Sequence, residues 1–376
     1  MTPRRRVWPV GLAVIVLGGG AGAGLWITHA NPRPPVRSAT VSVAPAKPPL
    51  VIRSEVPAAG ATGVASDAGV TVTFSVPVSP AGTMPVLTPA VPGVWQMVTP
   101  TTVTFAASGP FIPGITESLT VRGGASGVRA TDGAFMASTV TFTFTVAPGT
   151  LRLQQLLAGL GYLPVNFAPT GPPPAPNETA QPQPGTFSWR WANSLSGLES
   201  HWAPGDFGPL TRGAIMTFEN QRGLTVDGLA GAPVWSALLQ AAATGAVDPK
   251  PYDYAYVSKV LPETLTLYVN GVAQFPNIAV NTGVHGADTP DGTYPVFEHA
   301  TSSEMKGTNV DGTHYDDKAV PWASFFTGGD ALHGFVRASY GSPQSNGCVE
   351  MPIATAGTLW PYTPIGTLVT VVGPSS

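Results

Sequence analysis

Between residues 51 and 147, short runs of β-branched and aromatic residues alternate with polar residues at a period of two. Such alternation is typical of strands that bury one face. Gly, Pro, Ser and Asp separate the runs, as expected for turns. The pattern predicts an all-β sandwich over residues 51–147. The clearest runs are residues 70–74, 103–105 and 140–144.

Residues 150–242 change to helical spacing. Four leucines recur every three or four residues ahead of Gly161, which predicts a first helix that ends at this glycine. A Pro-rich insertion, residues 164–203, follows it. Later positions again have helical spacing, which predicts a second helix. The leucines are Leu153, Leu156, Leu157 and Leu160, and the later positions are Thr211, Ala214, Ile215 and Phe218, after which Trp235 and Leu238 follow.

From residue 250 to residue 376 the pattern returns to strands. An alternating run at 265–269 leads into Asn270-Gly271, which favours a two-residue hairpin turn, and another strand is predicted at 278–280. Residues 366–372 give a last strand. The segment 250–376 is therefore predicted to be a β-rich domain.

The N-terminus has a different pattern. Arg4, Arg5 and Arg6 precede an uncharged run that ends at Ile27, which fits a signal peptide or a membrane anchor over residues 1–27. The positive flank keeps the arginines in the cytoplasm and sends the rest of the chain outward. Residues 28–50 are Pro-rich and predict an extended linker. We expect an exported, extracytoplasmic protein of the cell envelope, either membrane-anchored or secreted to the cell wall.

Composition supports several β-rich domains joined by turns. The chain has 376 residues, 43% of them hydrophobic and only 10% charged, with 44 Gly and 41 Pro. That is too apolar for a disordered protein and too long for one ordinary domain. The formal net charge of −3 gives no electrostatic footprint for nucleic acid. The predicted fold class is multidomain and mainly β.

Candidate chemistry is concentrated near the C-terminus. Cys348 is the only cysteine, so it forms no internal disulfide and is either buried and inert or kept for reactivity. An imidazole such as that of His333 can take the proton of a thiol and later deliver it to a leaving group. Gly347, directly before the cysteine, allows a tight turn. The residues alone leave a catalytic pair and two structural residues about equally open.

Three segments resemble known families. His333-Gly334, followed by Ser345-Asn346-Gly347-Cys348, resembles the catalytic motif of YkuD-type L,D-transpeptidases, and 288–294 and 366–369 match its flanking motifs. Residues 150–242 resemble a three-helix peptidoglycan-binding domain, with Glu219 where that family usually has Gln. Residues 51–147 resemble a bacterial Ig-like domain.

The resemblance implies roles for individual residues. Cys348 would be the acylated nucleophile and His333 its base. Ser345 and Gly347 would shape the loop, with the amides of Gly347 and Cys348 at the oxyanion. Asn346 replaces the family's second histidine, and Glu350 replaces its Arg or Asn. The residues themselves, and not the resemblance, make the segment 297–326 a candidate lid over the cleft; the alternative is that its apolar residues simply pack the domain. The candidates for the substrate groove are Tyr315, Trp322 and Gly334.

The implied reaction is peptidoglycan cross-linking. A Cys348 thioester would form with release of D-alanine, and an amine of a second stem peptide would resolve it into a 3→3 cross-link. The expected partners are donor and acceptor stem peptides, glycan strands, carbapenem-type inhibitors and the membrane through the N-terminal segment; no metal or cofactor is expected. The alternatives are a stem-peptide cysteine peptidase or carboxypeptidase and a non-catalytic wall-binding protein.

Overall fold

The computed structural model of the protein describes residues 49–191 and 197–373. The predicted leader or anchor, residues 1–27, and nearly all of the predicted linker, residues 28–50, lie outside the described residues. Within the described part, no helix is both long and apolar enough to cross a membrane. The prediction of a mainly β, multidomain chain is confirmed by the elements below.

The first domain is a sandwich of two four-stranded sheets, with strand orders β1-β3-β6-β5 and β2-β8-β7-β4. Alternate residues of its strands point inward, as in β3, where Val70, Val72 and Phe74 are buried. One apolar cluster fills the space between the sheets. The strands are β1 (Ile52–Val56), β2 (Ala61–Val64), β3 (Val70–Phe74), β4 (Val86–Thr88), β5 (Gly93–Thr99), β6 (Thr102–Ala107), β7 (Thr116–Val121) and β8 (Val140–Val146).

The second domain contains three helices, α1 (Thr150–Gly159), α2 (Pro209–Arg222) and α3 (Ala232–Thr244). Proline stands in the first turn of α2 and of α3, and each ends at a glycine with positive φ. The N–H groups of a helix's first turn have no partner within the helix, so proline, which has no N–H, loses no hydrogen bond there. Glycine adopts the left-handed conformation at the end of a helix without strain. These residues explain where both helices begin and end.

The Pro-rich insertion contains a short antiparallel ribbon. Its strands are β9 (Val165–Pro169) and β10 (Gly185–Trp189). The three tryptophans of the insertion pack, partly buried, against the core of the helical domain. They therefore add to the core of the helical domain. These residues are Trp189, Trp191 and Trp202.

The C-terminal domain has two sheets around a third core. One sheet has the order β13-β12-β11-β19-β14 and the other β15-β16-β17-β18, with α4 (Ile353–Leu359) beside the second. Asn270 and Gly271, between β12 and β13, both have positive φ, as a type I′ turn requires. The strands are β11 (Asp253–Ser258), β12 (Thr264–Val269), β13 (Val272–Ala279), β14 (Gly292–Pro295), β15 (Glu298–Thr308), β16 (His314–Thr327), β17 (Asp330–Gly334), β18 (Val349–Met351) and β19 (Leu368–Val372).

Helix α2 is packed directly on the larger C-terminal sheet. A Cβ on Gly213 would lie 2.7 Å from the Gly366 carbonyl oxygen, so glycine is what allows the two backbones to approach so closely. Thr217 Oγ1 donates to the Ile365 carbonyl at 3.5 Å. Tyr254 and Leu368 of the sheet belong to the same buried cluster as the helices. The helical and C-terminal domains therefore share a core.

Candidate active site

Parallel pairing of β17 with β18 brings the two predicted catalytic residues to one place. Leu332 pairs with Val349 and His333 with Glu350, so Cys348, directly before β18, lies beside the strand that carries His333. Both side chains line a cavity of about 500 Å³. His333 is buried, whereas Cys348 is half-buried.

The imidazole of His333 is held in one tautomer. Its Nδ1 lies 3.1 Å from the Gly334 carbonyl oxygen, which can only accept a hydrogen bond. Nδ1 must therefore carry the hydrogen, and Nε2 of the neutral ring is left as a proton acceptor. Burial lowers the pKa of His333, which keeps the ring neutral.

The thiol of Cys348 is protonated at rest. Burial raises its pKa to about 12, and the carboxylates of Asp330 and Glu350 add to this, while the Ala331 N–H opposes it. The thiol donates to the Gly329 carbonyl oxygen at 3.8 Å. A neutral thiol and a neutral imidazole make a pair in which proton transfer must accompany attack on a substrate.

Hydrogen bonds fix the loop that carries the cysteine. Ser345 Oγ donates to the Cys348 carbonyl oxygen at 2.6 Å, and the Gly347 N–H donates to Ser345 Oγ at 3.1 Å. Thr289 Oγ1 donates to the Gly347 carbonyl oxygen at 2.6 Å. The geometry does not support the oxyanion role predicted for the Gly347 amide, because Ser345 already accepts its hydrogen. The Cys348 amide stays the predicted donor.

Glycine is required at position 347. Its φ is +121°, and an added Cβ would collide with the carboxylate of Asp330. Any other side chain would meet both strain and a clash. The positive φ agrees with the tight turn expected from the sequence, and the carboxylate of Asp330 adds a steric reason that the sequence does not show.

Asn346 connects the loop to a long hairpin. Its Nδ2 donates to Asn309 Oδ1 at 2.6 Å, and Asn309 lies in the turn between β15 and β16. These strands supply one wall of the cavity, including Met305 and Tyr315. The segment predicted as a lid is thus a hairpin whose turn contacts the nucleophile loop two residues before Cys348.

Glu350 does not reverse the charge of the site. Its carboxylate accepts two hydrogen bonds from Arg337, from Nε at 2.7 Å and from Nη2 at 2.8 Å. Arg337 also lies over the Phe335 ring at 4.8 Å. The exchange of the family's Arg or Asn for a glutamate is therefore balanced by a cation supplied from another part of the chain.

The three predicted groove residues are not brought together. Tyr315 lines the cavity with Cys348. Trp322 and Gly334 are absent from the lining of this cavity and line two smaller neighbouring cavities instead. Trp322 packs against Trp360 at 5.6 Å between ring centroids, and Gly334 contacts Ile353 while its carbonyl orients His333.

Several cavity residues were not anticipated. Asp317, Asp330 and Arg337 line the cavity, yet none belongs to a recognised motif. Of these, Asp330 gave a sequence signal, because it is an acidic residue only three positions before His333 and, in the structure, begins the same strand, β17. Within residues 49–191 and 197–373, no group of three or more His, Cys, Asp or Glu side chains is arranged to hold a metal ion.

Comparison with family models matches three parts of the chain. Residues 253–371 match the L,D-transpeptidase catalytic domain, YkuD. Residues 46–146 match a bacterial Ig-like domain, and residues 194–238 match a peptidoglycan-binding domain. None of the curated proteins compared with the chain matches it.

Solved structures similar to this chain include an L,D-transpeptidase from Mycobacterium smegmatis, at 13% identity over 86% of this chain and 100% of that one, with a TM-score of 0.30. Another is L,D-transpeptidase 3 from Mycobacterium tuberculosis with a faropenem-derived adduct, at 15% identity over 85% and 97%, with a TM-score of 0.30. The catalytic domain of an E. faecium L,D-transpeptidase shares 25% identity over 32% of this chain and 95% of that one, with a TM-score of 0.29. At such TM-scores, the assignment rests on the family models.

Proposed function

Because residues 253–371 are an L,D-transpeptidase catalytic domain, we propose that this chain cross-links peptidoglycan with Cys348 as the acylated nucleophile and His333 as its base. The observation that carries the proposal is that both side chains line one cavity. The pairing of β17 with β18 brings them there. The fixed tautomer of His333, with Nε2 free to accept a proton, supports it.

The first half-reaction would acylate the enzyme. As Cys348 Sγ attacks the carbonyl that precedes the terminal D-alanine, His333 takes the thiol proton, so no free thiolate has to exist beforehand. The new oxyanion would accept a hydrogen bond from the Cys348 N–H. His333 then returns its proton to the departing D-alanine nitrogen, the C–N bond breaks, and a thioester remains.

In the second half-reaction, an amine of a neighbouring stem peptide attacks the thioester carbonyl. The C–S bond breaks, the thiol is restored and a 3→3 cross-link forms. Water in place of the amine would give a carboxypeptidase instead. The order of the residues, with His333 earlier in the chain than Cys348, favours transfer over a papain-like peptidase.

The accompanying domains support a role at the cell wall. The Ig-like and peptidoglycan-binding domains precede the catalytic domain in the chain. We propose that the helical domain contacts glycan strands. Export and attachment through residues 1–27 are proposed from the Arg-flanked apolar run of the sequence alone.

The test is incubation with a carbapenem, followed by intact-mass measurement. The wild-type chain should gain one covalent adduct, and Cys348→Ala should gain none. Mass spectrometry of the products from a disaccharide-tetrapeptide substrate then separates cross-linking from hydrolysis. A wild-type chain that stays unmodified and releases no D-alanine would favour a non-catalytic wall-binding protein.

A further inference from the structure

The cavity around Cys348 is lined by more carboxylates than cations, so part of its negative charge has no cation to pair with. Glu304 pairs with Lys318 at 2.7 Å and with Lys306 at 3.7 Å. Glu350 pairs with Arg337. Two further carboxylates, Asp317 and Asp330, line the same cavity. Among the described residues, neither of these carboxylates has a hydrogen-bond or ion-pair partner.

Of the two, Asp330 lies against the nucleophile loop. It is the first residue of β17, directly after Gly329, whose carbonyl oxygen accepts the thiol of Cys348. Its carboxylate occupies the space that a Cβ on Gly347 would need. Asp330 also contributes to the raised pKa of the thiol. These independent observations place its charge next to the reacting sulfur.

This placement disfavours the first half-reaction. A carboxylate beside the thiol opposes its ionisation, and a half-buried carboxylate without a partner costs free energy. Unpaired, perturbed charges in clefts are typical of functional groups. The second half-reaction provides a use, because an acceptor amine arrives as an ammonium ion and must lose a proton before it can attack.

We propose that Asp330 binds the ammonium group of the acceptor and takes its first proton, acting as a second catalytic base for transfer to an amine. This inference rests on the proposed function, since it needs a Cys348 thioester. It assigns one base to each half-reaction, with His333 serving acylation and Asp330 serving activation of the acceptor.

The protons balance in this scheme. The ammonium gives one proton to Asp330, and the resulting amine attacks the thioester carbonyl to form the C–N bond. The attacking nitrogen gives its second proton to His333, which is neutral after D-alanine has left. His333 passes that proton to the departing sulfur as the C–S bond breaks. Asp330 then releases its proton to water.

The acidity of Asp330 suits this task. Burial raises its pKa to about 6, so near neutral pH it is ionised and yet a better proton acceptor than an ordinary aspartate. The titratable and charged groups around it are Cys348 and His333 on the nucleophile side, Tyr294, and Tyr315 and Asp317 on the hairpin, with Arg337 also lining the cavity.

The test uses the full chain, a disaccharide-tetrapeptide donor and a stem peptide with a free amine as acceptor. The quantity measured is the ratio of amide product to hydrolysis product. Both arise from the same acyl-enzyme, so neither a loss of folded protein nor a change in acylation rate alters the ratio. Asp330→Asn preserves the shape of the side chain, and Asp316→Asn is a matched control on an exposed carboxylate outside the cavity.

We expect Asp330→Asn to lower this ratio by about 10²-fold, in line with the usual contribution of a general base. The wild-type ratio should rise with pH through about 6, and this step should vanish in the variant. Asp316→Asn should keep the wild-type ratio. An Asp330→Asn ratio equal to the wild type, in a chain that a carbapenem still acylates, would overturn the inference and leave the proposed function intact. A wild-type chain that no carbapenem acylates would instead refute the proposed function.

Discussion

Asn346 and Asn309 are joined by a hydrogen bond of 2.6 Å between their side chains, which ties the nucleophile loop to the turn of the β15–β16 hairpin. The bond is made by the residue that replaces the second histidine of the family's motif. The side chain at this position therefore holds the nucleophile loop against the hairpin and does not act as a base, since an amide does not take up a proton at neutral pH.

Breaking this bond should weaken the enzyme only modestly. A neutral hydrogen bond contributes about 1 kcal/mol, so we expect Asn346→Ala to slow D-alanine release by about fivefold. Asn309→Ala removes the other half of the same bond and should have a similar effect. The double variant should be no slower than either single one, as steady-state kinetics can show. Additive losses would mean that the two residues act separately.

His333→Ala should have a far larger effect. Without the imidazole, the thiol has no neutral base that can accept its proton. We therefore expect the rate of D-alanine release to fall by about 10²–10⁴-fold. The acylation rate with a carbapenem should fall with it, as time-resolved mass spectrometry would report. Circular dichroism serves as the check on folding. If His333→Ala and Asn346→Ala lost activity equally, His333 would not be the base.

The ion pair of Arg337 with Glu350 should be needed for stability. Arg337→Met leaves a buried carboxylate without its partner, and we expect the free energy of unfolding to fall by about 3 kcal/mol. Combining it with Glu350→Gln removes the stranded charge and should recover part of the loss. Urea titration followed by tryptophan fluorescence would measure this. The explanation would be contradicted if the double variant lost more free energy of unfolding than the two single variants lose together.

Glu219 should make the stability of the chain depend on pH. Burial raises the pKa of its carboxyl from 4.5 to about 7, so the folded chain holds the proton over a range in which the unfolded chain releases it. Its contribution to stability is therefore fully present below about 4.5 and is lost as pH rises to about 7.

Glu219→Gln should accordingly reduce the loss of melting temperature between pH 4.5 and 7, because an amide oxygen can accept the same N–H groups of Asp227 and Gly228 without a charge. Scanning calorimetry across this range would measure the slope. Glu199→Gln, at an exposed site, should leave it unchanged. An unaltered slope in Glu219→Gln would show that this carboxyl is ionised in the folded chain.

Much of the fold could be predicted because it depends on short-range patterns. The alternation at 70–74, the leucines before Gly161 and Asn270-Gly271 each specify a local structure, and each lies in the predicted element. Cys348 and His333 could be singled out by residue type and motif. The parallel pairing that brings them to one cavity is a long-range feature that no local pattern contains.

The remainder of the site was not predictable for the same reason. Arg337 reaches Glu350, and Asn309 reaches Asn346, only after strands β15 to β18 have paired into one sheet. Trp322 was chosen as an apolar residue of the candidate lid and Gly334 as part of the His-Gly motif, and the structure packs them against Trp360 and Ile353. Sequence spacing shows which residues are near each other along the chain, whereas the lining of a cavity depends on which face of a strand they occupy.

The close approach of Gly213 to Gly366 has a consequence for how the molecule meets its surroundings. With backbone against backbone and a common core, the helical domain has no hinge about which to swing relative to the cleft. A surface that binds the helical domain therefore also fixes the orientation of the cleft relative to that surface. The helical domain and the C-terminal domain therefore reorient together, as one unit.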